Sequence, residues 1–283
     1  MTRLDSLPTL CASFSRFPSP LGRAMHEAGY RALGLPFVYV PFACRDLAGA
    51  LAGVRALSIR GVGVSMPFKV EIIPLLDDLD ELARRIGAVN TVVNEGGRLV
   101  GHNTDAIGAR RALEERTQLA GRSALVLGAG GAARAVALGL VEAGARVTLT
   151  NRGEGRLREL AASLPGLRVV AWGERDRAAR DADVLVNATS LGMADVDPRS
   201  PLGPDALRPG HVVLDAVFKP AQTALLAATA RAGAIGVDGT RMLLHQAMAQ
   251  FTLYTGQPAP REAMETGLRS VLGGASARPP GGS

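Results

Sequence analysis

The chain has 283 residues, 47% hydrophobic and 20% charged, which is ordinary globular material with enough apolar content for one or two domains. Its net charge of +6 comes from scattered arginines. There is no basic run interleaved with aromatics, so the charge argues against nucleic acid and for anionic small molecules. No apolar run is long enough to span a membrane, and the N-terminus lacks the apolar stretch of a signal peptide. Cys11 and Cys44 form no CxxC pair and no metal-ligand spacing; they read as buried thiols of a cytoplasmic protein without a metal site.

The elements follow in chain order. Strand-like runs at 10–15 and 37–40 flank a predicted helix over 22–33, with Met25, Ala28 and Ala32 on one face. A second helix over 45–57 precedes a strand at 59–66, and 72–88 reads as a Pro-broken helical stretch. Two apolar runs around Glu95-Gly96-Gly97 predict a hairpin over 89–105. Residues 103–121 look helical. A second series then opens with strand, Gly-rich turn, helix and strand over 123–152, with further strands at 167–171, 183–187, 211–214 and 234–238. Helices over 240–256 and 261–272 follow. Alternation of this kind predicts an α/β fold. The boundaries drawn are 1–104 with 240–273 as a discontinuous α/β domain on a mixed sheet, and 105–239 as a Rossmann-type, doubly wound parallel-sheet domain. The Gly/Pro/Ser-rich end, 274–283, reads as a disordered tail.

"VLGAGGAA" is the most legible motif. Gly128, Gly130 and Ala133 give G-x-G-x-x-A between an apolar run and a helical pattern, the context a dinucleotide turn requires. At the end of the next strand an NAD site carries an acid for the ribose hydroxyls. Here "TLTNRGEGR" supplies Asn151 and Arg152, with no acid before Glu154. A guanidinium in that place suits a 2′-phosphate, so NADP is favoured; the alternative is that Arg152 is a surface arginine.

Of 32 basic residues only Lys69 and Lys219 are lysine, leaving 30 arginines. A lysine amine exchanges a proton, whereas a guanidinium does not. Rarity alone does not separate Lys69 from Lys219. The surroundings do: "VSMPFK", "GAVNTVVN", "NTD", "GAGGAA", "NR", "NATSLGM" and "MLLHQA" occur in that order. Together they closely resemble the shikimate dehydrogenase family, over about residues 10–258.

That resemblance implies an N-terminal substrate domain, an NADP-binding Rossmann domain, an active site in the cleft between them, and reversible oxidation of shikimate to its 3-dehydro ketone. Lys69 and Asp105 match the catalytic pair. Asn90 and Gln246 match ligands of substrate hydroxyls, and Ser65 a substrate-facing hydroxyl. Gly128, Gly130, Gly131 and Ala132 match the pyrophosphate loop, and Asn151 with Arg152 the 2′-phosphate pair. Thr189, Met193, Val217, Gly239 and Met242 match positions along the cofactor. His102 reads as a support for "NTD", His26 as a helix residue near the substrate mouth, and Trp172 as packing.

The family's opening carries Ser-x-Ser-Pro before a histidine, and its two hydroxyls hold the substrate carboxylate. Counting back from His26, Pro20 and Gly22 stand there instead; Ser19, one residue out of step, is the nearest donor, with Ser13 and Ser15 as others. Phe218 replaces a usual Tyr. This opening resembles a shikimate dehydrogenase-like branch and predicts weak shikimate turnover or a related anionic hydroxy acid such as quinate. A non-catalytic NADP-binding regulator is the reading from another class. Monomer and homodimer remain equal expectations.

Overall fold

The computed structural model describes residues 7–164 and 166–275. They form two compact units, each around a six-stranded sheet. One takes the chain up to Arg84, Ala88–Thr104 and the chain from Ala247; the other takes Arg85–Gly87 and Asp105–Gln246. Of the tail predicted over 274–283, residues 276–283 lie outside the described residues, and 274 and 275 close the last helix.

In the first unit β1 (Thr9–Ser15), α1 (Pro20–Ala32), β2 (Phe37–Ala43), α2 (Leu47–Ala56) and β3 (Gly61–Val64) alternate. A 3-10 turn (Ile73–Leu75), β4 (Asp78–Leu79), α3 (Glu81–Ile86) and the hairpin of β5 (Thr91–Glu95) and β6 (Arg98–His102) follow. The sheet order is β2-β1-β3-β5-β6-β4. β1 runs parallel to β2 and β3, and β5 antiparallel to β3 and β6, so the sheet is mixed. Gly96 and Gly97 turn the hairpin at φ of +65° and +100°, which glycine adopts without a Cβ clash.

β4 corrects the helical reading of 72–88. The Asp77 N–H donates to Leu99 O at 3.0 Å, and the Leu99 N–H donates to the Asp77 carboxylate at 2.7 Å. These bonds draw Asp78 and Leu79 into parallel register with β6. A partner distant in sequence overrides the local period.

α1 starts at Pro20 because Ser19 caps it and proline needs no N–H there. Leu21, Met25 and Gly29 form its inward stripe. Gly29 leaves room for Phe251, whose ring a Cβ would meet at 2.7 Å. Phe251 lies on α9 (Gly239–Thr255), and α10 (Arg261–Ala275) packs along α1.

The second unit runs α4 (Asp105–Glu114), β7 (Ser123–Leu127), α5 (Gly131–Glu142), β8 (Arg146–Thr150), α6 (Glu154–Ser163), β9 (Arg168–Val169), α7 (Arg175–Asp181), β10 (Val184–Asn187), β11 (Val212–Asp215), α8 (Ala224–Arg231) and β12 (Ile235–Val237). Its order, β12-β11-β10-β7-β8-β9, is parallel throughout. β10 and β11 are buried at every position, as strands covered on both faces must be. The order reverses between β7 and β10, the switch point where open α/β sheets bind ligands beyond their strand ends.

Candidate active site

In the first unit the site grows from the end of β3. The Val64 N–H donates to Asn90 O and the Val89 N–H to Lys69 O, both at 2.7 Å. These bonds seat the turn from Ser65 to Lys69 beside Asn90. Ser65 is exposed, Lys69 half-buried and Asn90 buried, so three of the sequence candidates converge. Asn90 is gripped firmly. Its Oδ1 accepts from the Thr104 N–H at 2.7 Å and the Thr91 hydroxyl at 2.8 Å, and its Nδ2 donates to Thr104 Oγ1 at 3.0 Å. Gln250 Nε2 donates to Asn90 O at 3.2 Å and Thr91 Oγ1 at 3.0 Å. Burying one asparagine amide among so many partners fixes its rotamer. Thr91, Thr104 and Gln250 were missed in the sequence; only the four-residue spacing from Gln246 pointed to Gln250.

Ser19 Oγ accepts from the Leu21 N–H at 3.3 Å, so it serves the helix cap. Gly22 faces Tyr39: a Cβ there would stand 3.5 Å from the Tyr39 hydroxyl. Ser13 hydrogen-bonds that hydroxyl. His26 lies on α1, as its helix reading has it. It is fully buried, stacked on Tyr39 at 4.4 Å with the rings 3° apart, and close to Tyr30 and Tyr254. Burial holds its pKa down at about 3, with Gln250 pulling the other way, so it is a neutral ring of the aromatic core. His102 Nδ1 lies 2.7 Å from Asp80 Oδ2. Burial raises the Asp80 carboxyl, but the hydrogen bonds from His102 and the Ala83 N–H and the charges of His102 and Arg84 together outweigh it and leave the group below its ordinary range. Phe218 is half-buried, Lys219 is exposed, and Trp172 packs on a core cluster of the second unit.

In the second unit Asp105 opens α4 and is buried, directly after Thr104. Gln246, half-buried on α9, lies against α4, where a Cβ on Gly108 would stand 3.0 Å from Gln246 Cβ. Arg241 and His245 clamp this crossing. Arg241 Nε and Nη2 donate to the Glu115 carboxylate at 2.9 and 2.6 Å, and His245 Nε2 lies 2.9 Å from it. Burial works to raise the Glu115 pKa; the hydrogen bonds and charges of Arg241 and His245 overcome it and hold it at about 2.

The Gly-rich turn fits a dinucleotide. Gly128 has φ of +122°, and a Cβ there would meet Ala188 O at 2.9 Å, so neither the turn nor the approach of β10 admits a side chain. α1, α2 and α8 are capped by Ser19, Asp46 and Thr223; α5 follows Gly130, which offers no side-chain cap. That leaves N–H groups at the helix start for a phosphate. Gly131 and Ala132 form its first turn, half-buried. At the end of β8, Asn151 Nδ2 donates to Gly153 O at 2.9 Å, and Arg152 is exposed. Thr189 and Met193 follow β10, and Val217 follows β11. Gly239 is required by packing, since a Cβ would meet Ala216 O at 2.7 Å; Met242 is buried one turn on. Sequence reasoning also missed Asn187 and Asp215, although an acid closing the apolar run "VVLD" was a legible signal.

Three family models match in order: shikimate dehydrogenase substrate binding domain over residues 18–92, shikimate / quinate 5-dehydrogenase over 109–194, and shikimate 5′-dehydrogenase C-terminal domain over 239–268. The chain is 46% identical over 275 residues to the shikimate dehydrogenase (NADP(+)) of Moorella thermoacetica, covering 93% of this chain and 92% of that one. Its fold matches shikimate 5-dehydrogenase from Thermus thermophilus, solved with NADP(H) and shikimate, at TM-score 0.84 and 37% identity, covering 94% of this chain and all of that one. It also matches quinate dehydrogenase from Corynebacterium glutamicum, solved with NAD, at TM-score 0.84 and 32% identity over 93% and 99% of the two chains. With three family models matched in order and a curated relative 46% identical over 93% of its length, the chain belongs to the shikimate dehydrogenase family.

Proposed function

We propose that this protein is an NADP-dependent oxidoreductase that interconverts shikimate and its 3-dehydro ketone. The observation that carries the reading is the convergence of Ser65, Lys69 and Asn90 at the end of β3 in a chain whose second unit offers an uncapped, Gly-rich helix start followed by Arg152. Gly128, Gly130, Gly131 and Ala132 hold the pyrophosphate, Asn151 and Arg152 the 2′-phosphate, and Thr189, Met193, Val217, Gly239 and Met242 line the nicotinamide half. NADP, when bound, supplies the acceptor of the hydride. As the C–H bond of the secondary alcohol breaks and its carbon becomes a carbonyl, the hydroxyl proton must leave. Lys69 and Asp105 handle that proton, Lys69 because an amine gives and takes one where a guanidinium does not. Asn90, Gln246 and Ser65 donate to and accept from the ring hydroxyls. The free, buried thiols of Cys11 and Cys44 support a cytoplasmic setting. No helix among the described residues is long and apolar enough to cross a membrane. The partner is a small anionic hydroxy acid rather than nucleic acid, and the protein acts as a monomer or homodimer.

The test is steady-state reduction of NADP and of NAD with shikimate, quinate and a panel of other cyclic hydroxy acids. Turnover of shikimate with NADP ahead of NAD is expected. Quinate preferred over shikimate would move the substrate to the neighbouring hydroxy acid. NADP binding with no turnover on any of them would support the regulator instead.

A further inference from the structure

We propose that Asp215 is a positioning residue whose carboxylate sets the direction of a hydrogen-bond relay, Asp215–Asn187–Thr189, and through it the hydrogen-bonding character that the β10 and β11 loops present to the nicotinamide half of the cofactor. The inference rests on the assignment of Thr189, Met193 and Val217 to that half.

Asp215 and Asn187 are the last residues of β11 and β10, paired in register, and both are fully buried. Three donors reach the Asp215 carboxylate: Asn187 Nδ2 at 2.8 Å, the Val217 N–H at 3.1 Å and the Thr223 hydroxyl at 2.6 Å. Burial pushes the Asp215 carboxyl above its ordinary range, and these donors pull the other way. An ionised carboxylate only accepts, so Asn187 must turn its NH2 toward it. The same NH2 donates to Leu191 O at 2.8 Å. The Asn187 carbonyl is then left facing Thr189, where it accepts from the backbone N–H at 3.1 Å and the hydroxyl at 2.7 Å. With its proton committed to Asn187, the Thr189 oxygen acts as an acceptor; the Leu191 N–H already donates to it at 3.1 Å. Toward a ligand it therefore presents its remaining lone pair, which suits a carboxamide N–H or a ribose O–H. One carboxylate thus ties Val217, Leu191 and Thr189 together and decides which of them donate. Gly192, at φ of +101°, carries the loop past Asp215, with room for a Cβ only 3.7 Å from its Oδ2.

Asparagine at 215 keeps only one oxygen for the three donors, so its NH2 stands against the Thr223 hydroxyl or, flipped, against Asn187 Nδ2 and the Val217 N–H, weakening or reversing the relay. The experiment compares binding of NADP with binding of 2′,5′-ADP, which carries the 2′-phosphate but no nicotinamide, to the full-length wild type and Asp215→Asn. Leaving buried donors unmatched predicts about tenfold to a hundredfold weaker NADP binding, with a matching rise in its KM. The affinity for 2′,5′-ADP and the KM for shikimate stay near wild type. Should Asp215→Asn not fold, Thr223→Val removes one of the three donors and is expected to show a smaller loss of the same selective kind, which Thr223→Ser reverses. Equal weakening of both ligands, or of neither, overturns the relay. A wild type that binds neither ligand overturns the cofactor assignment itself.

Discussion

Glu115 supports a quantitative prediction about the α4–α9 crossing. Its carboxylate, only 18% exposed, takes two bonds from Arg241 and one from His245, and titrates at about 2 instead of 4.5. A carboxyl whose folded pKa is depressed stabilises the fold above its unfolded pKa and loses that contribution as pH falls. The shift corresponds to about 3 kcal/mol in total, and about 1.3 kcal/mol of it disappears between pH 5.5 and 3.5. Other groups titrate over the same range, His26 among them, and comparison with Glu115→Gln cancels their share. Glu115→Gln has no carboxylate to protonate, so its stability lacks this component. Urea unfolding followed by Trp172 fluorescence is the assay, because the single tryptophan packs in the unit that contains Glu115. Wild type should exceed Glu115→Gln most at pH 5.5, with the gap closing by about 1.3 kcal/mol at pH 3.5. A gap constant to within a few tenths of a kcal/mol would refute the depressed pKa and the clamp that explains it.

Three further outcomes are expected. Lys69→Ala and Lys69→Arg each abolish most turnover while NADP binding, followed by fluorescence titration, is unchanged; an active Lys69→Arg enzyme would contradict proton exchange by the amine. Arg152→Ala weakens NADP by roughly tenfold to a hundredfold, the value of a charge-assisted bond to phosphate, and leaves NAD where it was. Gly22→Ser adds a hydroxyl at the altered opening, where the new Cβ lies in ordinary contact, 3.5 Å from the Tyr39 hydroxyl. It should lower the KM for shikimate by about tenfold or more, and an unchanged KM would mean that other donors already hold the substrate acid.

The parts of this molecule that obey short-range rules were legible in its amino acids. A buried parallel strand must be apolar throughout, a dinucleotide turn must have glycine where the backbone bends and the phosphate approaches, and a two-glycine tip between apolar runs must be a hairpin. These needs act over a few residues, so "SALVLGAGGAARAV" and "TVVNEGGRLV" announced β7–α5 and β5–β6 directly. The arginine bias made Lys69 conspicuous, and the order of the motifs carried the family. What stayed hidden depended on partners far along the chain. β4 forms because Asp77 reaches Leu99, 22 residues on. His26 is polar by type, yet Tyr39 and Phe251 converge on it and make it part of the core. Gln250 becomes a support for Asn90, 160 residues away, only once α9 lies over β5. Asp215 reads as one acid in an apolar strand until β10 sets Asn187 beside it. Strand, turn and cofactor class follow from local geometry and composition, whereas which polar side chains are buried together, and so which one orients another, is decided by tertiary packing, because desolvation and hydrogen-bond direction depend on neighbours that only the folded chain supplies.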